Sequence, residues 1–178
     1  MRESQRVWRP KATSIELRPK VVNQRIRFTD WEGDSIEGAY HTPGLNSLTE
    51  RKSGLIRLSK LSNKTAEDTN RCVVSKLQSL PADTLTLDNG SENQYWQELE
   101  KKLRIKVYHA HPYSSFERGS NENANGLVRW YFPKGTNFVN ISDEEVRMVE
   151  DALNNRPRKR LGWRTPLEVF NESVAIGC

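Results

Sequence analysis

Cysteine is nearly missing from this sequence, with Cys72 and Cys178 the only two among its 178 residues. One sits in a helical pattern and the other at the last position, so neither a disulfide framework nor a zinc knuckle is indicated. Histidine is almost as scarce, at three residues. His109 and His111 suggest half of a metal pair, but with no Cys or third His beside them they read as loop or supporting residues. Long apolar runs are missing as well. No stretch nears the roughly eighteen consecutive apolar residues that span a membrane. The opening MRESQRVWRP lacks the apolar stretch of a signal peptide. A soluble, cytoplasmic chain is therefore expected. Internal repeats and low-complexity tracts are absent too.

What is present suffices for one packed domain. Hydrophobic residues make up 35 % of the chain, with five each of Trp, Tyr and Phe, which excludes disorder throughout. The net charge of +5 is unevenly placed. Residues 1–27 hold eight basic residues (Arg2, Arg6, Arg9, Lys11, Arg18, Lys20, Arg25 and Arg27) and two acids, leaving residues 28–178 at net −1. Two parts are expected: a basic N-terminal arm over 1–27 and a folded core with C-terminal helices over 28–178. The arm, with Pro10 and Pro19 and no clear periodicity, reads either as an extended segment that follows phosphates or as a solvated leader.

From Arg27 onward the pattern becomes regular. Strands are expected from Ile26 to Ile36, Leu45 to Arg51 and Leu55 to Leu61, the last two joined by Lys52, Ser53 and Gly54 as a hairpin. Thr65 with Asp68 resembles a helix start, followed by Ala66, Val73, Leu77 and Leu80 at helical spacing until Pro81. A short strand over Thr84 to Leu87 ends on Asp88-Asn89-Gly90. Ser91 with Gln94 then suggests a capping box for a helix bearing Trp96, Leu99 and Leu103. A fifth strand, Ile105 to Tyr108, leads into a loop from His109 to Ser120. The helix from Asn121 to Phe132 buries Ala124, Leu127, Val128 and Tyr131 and turns Glu122, Asn125, Gly126 and Arg129 the other way. Two more helices start at Ser142 and Thr165. Three antiparallel strands followed by strand and helix alternation predict one mixed sheet with helices on both faces.

Three acids stand out by position. Asp34 lies inside the first strand, Asp88 ends the fourth, and Glu122 starts a helix just after the fifth. In an open sheet, a central strand and the C-terminal end of its parallel neighbour bring two such carboxylates side by side. Each acid alone has a plainer explanation. Asp88 precedes a turn signal, Glu122 suits a helix first turn, and Asp34 suits the charge that strand edges carry.

Together the motifs carry a resemblance. Asp-Trp-Glu-Gly-Asp at 30–34, Leu-Asp-Asn-Gly at 87–90 and HPYSSFERGSNENANGLVRWYFPKG at 111–135 are similar to the catalytic domain of DDE transposases of the IS-thirty insertion-sequence family. The thirty-three residues between Asp88 and Glu122 match that family's spacing. The segments Leu153 to Lys159 and Thr165 to Phe170 resemble its C-terminal signature, so the likeness runs from about Ser14 to Phe170. It implies a ribonuclease-H-like fold related to the retroviral integrase core. Asp34, Asp88 and Glu122 then match the family's catalytic acids, which hold two Mg²⁺ or Mn²⁺ ions. Oxygen-only ligands suit those ions better than zinc. Three converging carboxylates repel by roughly 4 kcal/mol per close pair at an effective dielectric near 20, so such a site requires cations.

The resemblance also implies double-stranded DNA as partner, at element ends and target, and a homo-oligomer on that DNA. DNA contacts are expected from Arg118, Asn125 and Arg129, against the alternative of ordinary solvated side chains, and from the run Arg156, Arg158, Lys159 and Arg160. Trp130 is expected to stack or to dock a partner. Family members carry an N-terminal helix-turn-helix that reads the terminal repeats. The short arm has no room for one, so a catalytic core or a shortened copy is expected. Two rival readings remain: a nuclease of the same fold that cuts without joining, and a DNA-binding fragment without catalysis.

Overall fold

A computed structural model describes residues 12–39, 42–112 and 114–176. Its centre is a sheet of β1 (Asp30–Ile36), β2 (Leu45–Glu50), β3 (Ile56–Lys60), β4 (Thr84–Leu87) and β5 (Lys106–His109), ordered β3-β2-β1-β4-β5. The first three strands are antiparallel, while β4 runs parallel to β1 and β5 parallel to β4. The helices are a short α1 (Lys20–Asn23), then α2 (Ala66–Leu77), α3 (Trp96–Leu103), α4 (Gly119–Tyr131), α5 (Asp143–Asn154) and α6 (Pro166–Ile176). The mixed sheet predicted from the strand order is present.

Alternation along β1 decides which helices cover which face. Trp31 is fully buried in a core with Val73 and Leu77 of α2, Leu99 of α3 and Phe170 of α6. Gly33 points the same way, and a Cβ there would stand 2.7 Å from Leu87 Cδ2, so glycine lets the strand pack against its neighbour. Ile36, on the opposite face, joins Ala124 and Val128 of α4 and Val146, Val149 and Leu153 of α5. Glu32 and Asp34 share that second face by parity. The sheet therefore presents its acids to α4.

Several elements depart from the sequence expectation for local reasons. The first strand starts at Asp30 because Arg27 folds back onto the Asp30 carboxylate, with bonds of 2.6 and 3.1 Å. The β2–β3 turn is longer than a tight hairpin. Glu50 caps it, accepting from the backbone N–H groups of Lys52 and Ser53, and Gly54 takes a φ of +75°. Ser91 and Gln94 do not open α3; Ser91–Asn93 form a separate 3₁₀ turn, because Asn93 turns inward to Asp88. The loop after β5 contains a 3₁₀ turn, Ser115–Arg118, that runs straight into α4. Tyr131 is 46 % exposed, since α4 ends there and the buried Phe132 takes the core position predicted for it. The predicted starts at Ser142 and Thr165 are both reciprocal caps, with Glu145 and Glu168 respectively.

The second half of the basic arm is packed against the sheet rather than free. Val22 is fully buried. The Arg18 guanidinium donates to Thr86 Oγ1 at 2.9 Å and to Asn23 Oδ1, and burial, with Arg51 nearby, pulls its pKa down to about 10. Thr13 accepts the N–H of His109, and Ser14 bridges to His109 in parallel, lining the free edge of β5. At the other edge, Glu150 and Asn154 of α5 accept the outward N–H groups of Leu58 and Ile56, and Asn154 also donates to Ile56 O. Cys72 is a buried free thiol. Arg2, Arg6, Arg9, Lys11 and Cys178 lie outside the described residues. Among those described, no helix is long and apolar enough to cross a membrane.

Candidate active site

Asp30, Glu32 and Asp34 alternate along one face of β1, and each meets its own arginine. Asp30 pairs with Arg27 at 2.6 Å. Glu32, fully buried, lies 3.1 Å from Arg51 Nε and accepts the backbone N–H of Asn121 in α4. Asp34 Oδ1 stands 3.1 Å from Arg118 Nη1. The partners change along the strand, from the arm to the β2–β3 turn to the start of α4.

Strand register then sets Asp88 beside Asp34. The parallel pairing of β1 with β4 runs from Asp30–Thr84 to Glu32–Thr86, and Asp34 and Asp88 each follow two residues later along the two chains, toward their carboxyl ends. The Arg118 side chain, 12 % exposed, lies between the two acids, with Nη2 at 3.6 Å from Asp88 Oδ2, and donates to Gly33 O at 3.2 Å. Asp34 Oδ2 accepts from Asn125 Nδ2 at 2.9 Å. Asp88 Oδ1 accepts from Asn93 Nδ2 at 2.6 Å and from the Gly90 N–H at 3.0 Å. Burial pushes the Asp34 carboxyl above the usual carboxylate range, although Arg118 pulls it down; Asp88 adds to the rise.

Glu122 is not gathered with the other two acids. It is exposed on the first turn of α4, and among the described residues no three Asp, Glu, His or Cys side chains converge on one point. It precedes Asn125 by three positions and so shares the flank of α4 that reaches Asp34. The cavity beside the acid pair, about 440 Å³, is lined by Asp34, Asp88, Glu37, Glu92, Lys64 and Thr69.

Other predicted residues fall into two groups. Asn125 and Arg118 touch the acids directly. Arg129 donates to the carbonyls of Glu37, Phe132 and Pro133, so its guanidinium ties α4 to the end of β1. In the basic run, Arg158, half-buried, donates to Leu153 O and Arg160 to the carbonyls of Lys52 and Ser53; Arg156, Lys159 and Arg160 are exposed. Trp130 is 85 % exposed. His109 is buried edge-on against Trp96, and His111 pairs with Glu117. The sequence reading missed Glu92 and the buried group of Glu32, Arg51 and Asn121. The i, i+2, i+4 acids of Asp-Trp-Glu-Gly-Asp were the available signal for Glu32; nothing in the pattern marked Glu92.

The chain is 40 % identical over 167 residues to the transposase for insertion sequence element IS4351 of Bacteroides fragilis, which covers 93 % of this chain and 51 % of that protein. It is 41 % identical over 169 residues to the transposase for IS1086 of Cupriavidus metallidurans, covering 93 % and 50 %. Both relatives are insertion-sequence transposases. Transposase InsI of element IS30A from Escherichia coli K12 is 36 % identical over 92 % of the chain and 43 % of its own length. The chain thus spans about half the length of the transposases it matches. No protein-family model matches it. Two solved structures share the fold. The catalytic core domain of bovine immunodeficiency virus (BIV) integrase superposes with a TM-score of 0.66 at 21 % identity, over 85 % of this chain and 99 % of that one. A chain of the simian T-cell lymphotropic virus intasome in complex with PP2A regulatory subunit B56 gamma gives 0.67 at 16 %, over 92 % and 59 %. The chain therefore has the ribonuclease-H-like integrase core fold.

Proposed function

We propose that this chain is the catalytic domain of a transposase that cleaves and joins DNA strands at element ends with divalent metal. The observation that carries the reading is that Asp34 and Asp88, toward the carboxyl ends of parallel neighbours, flank one guanidinium, that of Arg118. The donor set fits a hard cation. It is made of carboxylate oxygens, and the Asn125 side chain that holds Asp34 has a buried Oδ1 without a partner. Asp34, Asp88 and Glu122 would hold two Mg²⁺ or Mn²⁺ ions. Such ions, when bound, activate a water or a 3′-hydroxyl and stabilise the leaving oxygen of an in-line displacement at phosphorus.

The chain's own residues do the rest. Asn93 and the Gly90 N–H fix one oxygen of Asp88, leaving the other to Arg118. Asn125 orients Asp34 in the same manner. Arg118 supplies positive charge between the acids and, when freed from them, is placed to meet a phosphate oxygen. Arg156 and Lys159, exposed beside α5, suit backbone phosphates of double-stranded DNA. A homo-oligomer on two element ends completes the reading.

The test supplies pre-cut ends, taken from inverted repeats flanking the gene, with target plasmid and Mg²⁺. The parent protein should yield joined product and Asp88→Asn none above buffer background. Metal-dependent cleavage unchanged in Asp88→Asn sinks the proposed site. Cleavage without joined product identifies a nuclease of the same fold instead.

A further inference from the structure

The flank of α4 opposite the acid pair carries a second basic group. Asn123 and Leu127 turn toward β2, β3 and the turn over 158–160, and between them lies a cavity of about 200 Å³. Arg25, Arg158 and Arg160 line it together with Ser120, Asn123 and Gly54. Among the described residues, no acid and no aromatic side chain does so. Two of the three guanidinium groups are held in place. Arg160 donates to Lys52 O at 2.8 Å and Ser53 O at 2.9 Å, and Arg158 to Leu153 O at 3.0 Å. Arg158 Nε and Ser120 Oγ are buried there without a partner.

Arg25 is the third member and the most telling. Among the described residues its side chain makes no hydrogen bond or ion pair, yet its backbone adopts a φ of +53°. That left-handed conformation is one a glycine takes without cost and a β-carbon residue resists. The three like charges also act on each other. Arg160 lies below the usual guanidinium range through burial and then through Arg25, and Arg158 through burial and then through Arg160 and Arg156. The carboxylate that acts against this on Arg160, Glu50, is engaged by the N–H groups of Lys52 and Ser53. An unneutralised cationic cavity beside the first turn of a thirteen-residue helix attracts an anion.

We propose that this cavity binds one phosphate group of a DNA backbone. Size and lining choose the ligand. At about 30 Å³ per water, 200 Å³ admits a partly hydrated phosphate and no attached base. The lining offers no ring on which a base would stack. Exposed Lys159, between the cavity's Arg158 and Arg160, and Arg156, two residues before Arg158, continue the positive track along which a strand would lie. The assignment to DNA rests on the function proposed above, while the cavity's affinity for a phosphate-like anion does not.

The experiment is run in EDTA, with no divalent metal, on the full chain and on Arg25→Gln and Arg25→Lys. Double-stranded DNA affinity is measured across a salt series. Each lost phosphate contact should flatten the slope of log K against log[salt] by about 0.9, which is about eightfold in affinity at 0.1 M salt. Arg25→Gln should show this loss and Arg25→Lys should recover most of it. In parallel, sulfate at constant ionic strength should raise the melting temperature of the parent and not of Arg25→Gln, with both melting alike in chloride. An unchanged DNA slope with the sulfate effect lost overturns the DNA assignment. Unchanged slope and unchanged sulfate response overturn the cavity altogether. Because no metal is present and Arg25 is not one of the acids, failure here is distinct from failure of Asp88→Asn to abolish cleavage.

Discussion

Replacing Arg118 by Gln removes the only guanidinium between Asp34 and Asp88 among the described residues, and its cost follows from the geometry. At 3.1 and 3.6 Å, each attraction is about 5 kcal/mol at an effective dielectric near 20. Desolvation of the arginine takes most of that back. The acids are 25 % and 33 % exposed, so solvent screens the remainder, and a net loss of about 1–2 kcal/mol is expected. For a chain of this length that lowers the melting temperature by roughly 3–6 °C. Proton linkage supplies the sharper check. Burial already raises Asp34, and Arg118 opposes the rise, so Arg118→Gln lifts this carboxyl further. An acid whose folded pKa exceeds its unfolded value binds its proton more readily in the fold, so its stability contribution is lost as pH rises through the folded value. The deficit of Arg118→Gln should therefore be full at pH 7.5 and shrink as pH falls toward 4, in EDTA, by differential scanning calorimetry. An equal deficit at both pH values, or a gain in stability at pH 7.5, refutes the reasoning. Under the proposed function, Mn²⁺ should then stabilise Arg118→Gln more than the parent, because no guanidinium competes for the two carboxylates.

Two further outcomes test the surroundings of the site. Asn121 is fully buried, and its Oδ1 lies within hydrogen-bond distance of the Ser47 and Thr49 hydroxyls, at 3.2 and 3.0 Å. Asn121→Ala leaves both hydroxyls buried and unpaired, so chemical denaturation should show a loss of about 1–3 kcal/mol; an unchanged midpoint would mean α4 is not anchored through them. His111 is raised above its ordinary value, first by its hydrogen bond to Glu117 and then by that carboxylate's charge. Its stabilising pair with Glu117 is thus complete below the unfolded pKa and is lost as pH rises through the folded one. Glu117→Gln should return the imidazole titration seen by NMR toward the ordinary value, and a curve that does not move discounts the pair.

Much of the fold was legible because it rests on periodicity. The alternation in Asp-Trp-Glu-Gly-Asp set β1, and the three antiparallel strands before the parallel pair set the sheet. Asp34 and Asp88 were legible as neighbours for the same reason, since parallel register converts sequence position into adjacency. Glu122 was not, because a first-turn side chain on a helix is placed by rotamer and by charge around it, neither of which spacing reveals. The protein contacts of Arg118, Arg158 and Arg160 were hidden by the ambiguity of arginine. One guanidinium serves phosphates, carboxylates and backbone carbonyls equally well, and only tertiary structure shows which it has. Tyr131 and Phe132 illustrate the limit of helical spacing, because the stripe is valid only up to the last helical residue.

Both borders of the central sheet are occupied by the chain itself, one by Thr13 and Ser14 and the other by Glu150 and Asn154. Recruitment of another polypeptide by strand addition is thereby discouraged at either end. Copies that assemble must then meet through helix faces and loops, where side chains rather than backbone amides choose the partner. Under the proposed function, with two DNA ends handled at once, such interfaces would leave the sheet carrying Asp34 and Asp88 undisturbed as a complex forms and comes apart.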